Sequence, residues 1–148
     1  MHTISTRLLL GFLAGVLSHL IFQGAFGSIL YAAHVLPALP WSLDPVPPLG
    51  VPKTLSLGSW AGLWGVAYAL IEGRLTARFG WWLGGLVFGF APVVVLWLVV
   101  LPLKGLGIGG GFHPAMVPLT IASHLLFGIG VAIIFRLGLV LARRRTRA

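Results

Sequence analysis

The chain of 148 residues has no cysteine and only two acidic residues, Asp44 and Glu72. The first absence excludes disulfides, thiolate zinc sites, iron–sulfur clusters and thiol nucleophiles. The second argues against acid–base hydrolases, carboxylate metal sites and carboxylate-lined proton paths. Charge of any sign is scarce, at 8% of residues, where a soluble domain carries about 25%. Apolar residues make up 58% and the mean hydropathy is +1.03. There is too little polar surface to cover a water-soluble core, so the sequence reads as an integral membrane protein.

A net charge of +8 is a footprint that nucleic-acid binders share, but its distribution points elsewhere. Arg143, Arg144, Arg145 and Arg147 form a tail directly after an apolar run. Such a juxtamembrane cluster anchors topology and meets anionic lipid headgroups. The lipid bilayer is therefore the expected partner, and no nucleic acid is expected.

A membrane-spanning helix needs about 20 mostly apolar residues. Residues 8–31, 54–71, 81–101 and 115–141 meet this, giving an all-α membrane protein, an antiparallel bundle of four transmembrane helices in a single domain over residues 1–148. The first apolar run is longer than the 7–15 residues of a typical signal-peptide core, so a retained span is expected. Residues 37–53 hold six prolines and cannot be helical. Residues 72–80 read as a short polar connection, and residues 102–114 as a Gly-rich one. Arg7, Arg74, Arg78, Arg136 and the tail arginines fall on one side, and Lys53 and Lys104 on the other. Positive flanks mark the cytoplasmic side, which places both termini inside. Trp81 and Trp82 mark the inner interface, and Trp41 and Trp97 the outer one.

Small residues four apart let membrane helices approach closely. The pairs are Gly11 and Gly15, Gly24 and Ser28, Gly58 and Gly62, Ala61 and Gly65, and Gly85 and Gly89, with Gly128 on the last span. The pattern predicts tight packing and leaves a homo-oligomer open. Pro92 should kink the third span. Arg136 lies inside the fourth span and either snorkels to the headgroups or pairs with Glu72.

The most informative polar feature is a pair of intramembrane histidines. At about 1.5 Å per residue, His19 lies about 16 Å from the inner edge and His124 about 14 Å from the outer edge. Both fall near the midplane and can face each other. Ser18 and His19 are matched by Ser123 and His124 in similar apolar surroundings, a trace of internal repetition. Gln23 and Thr120 lie one helical turn from the imidazoles and can orient them, and Gly15 and Gly128 share those stripes. One reading is interhelical glue. The other is metal ligation or, with imidazoles from facing helices, a b-type haem. His34 and His113 form a second candidate pair near the outer surface. The stretch 105–110 matches GxGxxG but lacks the strand and helix of a dinucleotide site. Pro92 and the two histidines are the only features suited to a translocator of ions or small solutes.

Phe22-Gln23-Gly24, Pro48-Leu49-Gly50-Val51-Pro52, Trp60-Ala61-Gly62-Leu63-Trp64-Gly65 and Pro102-Leu103-Lys104-Gly105 occur in an order and spacing that resembles a family of small four-span bacterial inner-membrane proteins of unassigned function. In that family a histidine adjoins the glutamine, where Phe22 stands here, and asparagine is common at the position of His124. The resemblance implies a bacterial inner membrane and no particular activity. The expected role is non-enzymatic, as an accessory or structural membrane component alongside other membrane proteins. The alternatives are a histidine-ligated haem b electron-transfer protein and a small-solute or ion translocator.

Overall fold

A computed structural model describes residues 3–47 and 49–145. Four helices are long and apolar enough to cross a membrane: α1 (Ile4–Ala32), α2 (Lys53–Phe79), α3 (Trp81–Leu103) and α4 (Met116–Arg145). The Thr3 hydroxyl caps α1 by accepting from the Thr6 N–H at 3.2 Å. The α1 helix ends where His34 takes a left-handed conformation, φ 59°.

The connection expected over residues 72–80 is helical almost to its end. α2 continues to Phe79, and Gly80 alone makes the turn into α3, at φ 76° and ψ 167°. A polar composition does not stop a helix. The chain turns where a residue adopts the required backbone angles, and that residue is Gly80; Gly73 stays helical.

The proline-rich segment after α1 holds a short antiparallel pair, β1 (Pro45–Val46) and β2 (Val51–Pro52). It folds back over the end of α1. The Trp41 indole lies against Gly24 and the Pro40 ring against Gly27. The segment before α4 makes one 3-10 turn, Ile108–Gly111.

The small residues set the packing. A Cβ built on Gly11 would come within 2.7 Å of the Ala69 Cβ, and one on Gly15 within 2.7 Å of the Ala61 carbonyl carbon. As α1 advances its contacts on α2 recede, so the two helices are antiparallel. Likewise Gly85 meets Ala132 and Gly89 meets Leu125, which sets α3 antiparallel to α4. Leu10 against Gly138 and Phe22 against Gly130 give α1 and α4 the same relation. The core is aromatic where α2, α3 and α4 converge. Fully buried Tyr68 meets Phe88 edge-on at 5.1 Å and Phe135 at 5.8 Å.

Two helices contain a wider π turn, His19–Gln23 in α1 and Leu96–Val100 in α3. The second has a cause in the sequence. The ring of Pro102 would press on the Leu98 carbonyl four residues earlier, and widening the turn moves that carbonyl away. The first contains no proline and begins at His19. Such insertions are enriched at functional sites.

Candidate functional site

The polar residues expected near the membrane centre do come together, between α1 and α4. The Nδ1 of His19 and the Oε1 of Gln23 are 2.8 Å apart. The Gln23 amide in turn donates to the Ser123 hydroxyl at 3.2 Å. One turn away, fully buried Ser18 donates to the Phe127 carbonyl at 2.7 Å. His124 pairs its Nδ1 with the Thr120 backbone carbonyl at 2.8 Å, so the main chain of Thr120, not its hydroxyl, orients this ring. Because Oε1 and the carbonyl only accept, each imidazole donates from Nδ1. Both rings are half-buried.

The glycines do not leave room beside the imidazoles. Gly15 faces the backbone of α2 at Ala61 and Gly62, and Gly128 faces that of α3 at Gly85 and Gly89. Neighbouring helices fill the space that a ligand would need. A porphyrin lodged between α1 and α4 does not fit either. The Ser18–Phe127 and Gln23–Ser123 bonds join the helices directly on both sides of the histidine pair.

His34 and His113 are not a second helix-borne pair. His34 lies beyond the end of α1, and His113 precedes α4 in the connection. His113 instead lines a cavity of about 260 Å³ with Trp97, Leu101, Met116 and Thr120. Trp97 meets Phe112 edge-on at 5.2 Å there. Among the described residues there is no group of three or more His, Asp or Glu placed to hold a metal ion.

At the end that carries the chain termini, Glu72 is paired with Arg7 rather than Arg136. The Arg7 Nη2 donates to Glu72 Oε2 at 3.1 Å and to the Ala69 carbonyl at 3.2 Å. The Thr76 hydroxyl donates to the other Glu72 oxygen at 3.1 Å. The Arg7 guanidinium also lies over the Phe135 ring, 5.2 Å from its centroid. The sequence alone does not single out Arg7 as the partner of Glu72, but the inter-helix packing does. Extending the Gly11–Ala69 contact by one turn along each antiparallel helix brings Arg7 to Glu72. Arg136 instead lies over Trp81, 5.3 Å from the ring centroid. Of the basic tail, Arg143 and Arg144 are exposed at the end of α4. Arg147, like Pro48, lies outside the described residues, as does the side chain of Arg145.

Comparison with family models, with curated proteins and with solved structures finds no match to this chain.

Proposed function

We propose that the chain is a multi-pass inner-membrane protein of non-enzymatic, accessory or structural kind, with both termini cytoplasmic, as its resemblance to small four-span bacterial membrane proteins suggests. Its polar interior acts as a clasp between α1 and α4. The observation that carries this reading is the Gln23–Ser123 bond, with His19 holding the glutamine's other end. These groups are committed to helix–helix contact, and interhelical hydrogen bonds of this kind contribute about 0.6 kcal/mol on average and up to about 1.7. The arginines at the terminal end support the orientation.

A double-mutant cycle tests the clasp. Gln23→Leu and Ser123→Ala should each lower the unfolding midpoint in detergent, and the double variant should lose less than the sum. Additive losses would remove the clasp. His19→Ala and His124→Ala should loosen the bundle without a change in visible absorbance. A Soret band in protein from haem-supplied cells, lost in those variants, would reinstate the haem reading. Co-purification in mild detergent with mass spectrometry then identifies what the protein accompanies.

The cavity at His113, Trp97 and Thr120 favours a second reading, a translocator of small solutes. It reaches to Thr120, one turn from His124. Flux in proteoliposomes that falls in a His124→Ala variant would support it, and flux unchanged in that variant would count against it.

A further inference from the structure

The groove between the start of α3 and the last third of α4 is built differently from the rest of the surface. Ile133, Arg136, Leu137 and Val140 lie at i, i+3, i+4 and i+7 on α4, hence on one face. With Trp81 they line a cavity of about 220 Å³. Its lining is apolar apart from one cation, and that cation is held in place. Arg136 is exposed, and its guanidinium carbon lies over Trp81, 5.3 Å from the ring centroid, within cation–π reach.

A cation–π contact engages the charge of the guanidinium and does not use up its N–H donors as hydrogen bonds. The N–H donors all lie in the guanidinium plane and match the spacing of two phosphate oxygens. The indole fixes the fork before any ligand arrives, so less side-chain freedom is lost on binding.

Charge at this end selects the ligand's sign. The chain has two carboxylates, and Asp44 belongs to the segment between α1 and α2 at the opposite end. Both oxygens of the other, Glu72, are taken by Arg7 and Thr76. Arg143 lies seven residues beyond Arg136 on the same face, about 10 Å along the helix. The site therefore sets a cation near the end of the bundle that carries the chain termini, where it can reach lipid phosphates in the proposed membrane placement, with an apolar groove running from it along Ile133.

We propose that this groove binds one anionic phospholipid, with its phosphate on the Arg136 guanidinium and an acyl chain along Trp81, Ile133 and Leu137. The proposal presupposes the membrane placement above, but not the clasp.

The test is native mass spectrometry of the full chain released from detergent with phosphatidylglycerol or phosphatidylcholine of the same acyl chains. Glycerophosphoglycerol, the headgroup without chains, serves as a competitor. Phosphatidylglycerol should be retained about five- to tenfold over phosphatidylcholine, as expected for one well-placed arginine. Arg136→Gln should abolish the preference. Trp81→Leu, which frees the guanidinium, should reduce it several-fold, and Arg136→Lys should keep only part of it because an ammonium cannot grip two oxygens at once. These two variants carry the test if Arg136→Gln fails to fold, with circular dichroism and gel filtration as the check. Equal retention of the two lipids in the native chain would overturn the proposal. So would a preference that survives Arg136→Gln but is lost in Arg143→Gln/Arg144→Gln, or effective competition by the headgroup alone. Loss of the Gln23–Ser123 coupling leaves these readouts unchanged, so the two proposals fail separately.

Discussion

Individual side chains show how membrane interiors treat polar atoms. Ser18, Gln23, Ser123 and the two histidines all find partners, whereas the Tyr68 hydroxyl is buried with no hydrogen-bond partner among the described residues. An unsatisfied buried hydroxyl costs about 1–3 kcal/mol. Tyr68→Phe keeps the ring that meets Phe88 and Phe135 and removes only that atom. It should hold or raise the unfolding midpoint, as read by thermal denaturation in detergent, and a marked fall would mean that the hydroxyl has a partner. That His19 and His124 lie level was legible in the sequence because helix rise is fixed, and the Ser18–Phe127 and Gln23–Ser123 bonds flank the two at one level. The histidines' own hydrogen bonds were not legible. A one-dimensional stripe assigned Gly15 to the face of His19, but the π turn at His19–Gln23 shifts the register there. Gly15 therefore serves α2 while Gln23 serves α4. Nor did the sequence show that Glu72 has Arg7 as its partner. That pairing depends on how far α1 and α2 overlap, which is set by contacts between glycines distant in the chain.

Glycines in and between the helices fall into three cases, and alanine substitution separates them. Gly15→Ala drives a methyl into the Ala61 carbonyl oxygen, with the carbonyl carbon at 2.7 Å, a contact that α2 cannot yield without shifting. Overpacking of this kind costs about 1–3 kcal/mol. Gly80→Ala meets nothing within 4 Å, but forces a side chain into φ 76°, at about 1–3 kcal/mol. Gly73→Ala meets nothing within 4 Å and sits inside α2. It should be neutral or stabilising by up to about 1 kcal/mol. Thermal denaturation of the three variants should give this order, and a destabilised Gly73→Ala would contradict the packing described. The number of helices and most of their ends followed from apolar length. α2 ran two turns beyond its apolar stretch because Glu72, Arg74, Thr76 and Arg78 carry no helix-breaking geometry, only polarity.

The whole molecule distributes charge and connection length unequally between its two ends. One end has the single-residue turn at Gly80 and nearly all the arginines, and the other has the long segments around β1 and β2 and before α4. A fluorescent reporter that matures only in the cytoplasm should glow when fused after Ala148. An alkaline phosphatase fused within the 37–53 segment should be active. The opposite pattern would invert the orientation, and with it the leaflet assigned to the Arg136 groove. The bundle's general arrangement was readable from composition because lipid admits few alternatives to packed helices. Which helices touch was not readable, since every span offers small residues, and shape complementarity in three dimensions decides among them.

The single residue at Gly80 also bears on how the chain is made. In the membrane placement proposed here, two spans with so short a link cannot be delivered to the bilayer separately. α2 and α3 must therefore enter side by side as a helical hairpin, carrying Arg74 and Arg78 at its bend. Lengthening that bend is the alteration that would let the two halves be threaded independently.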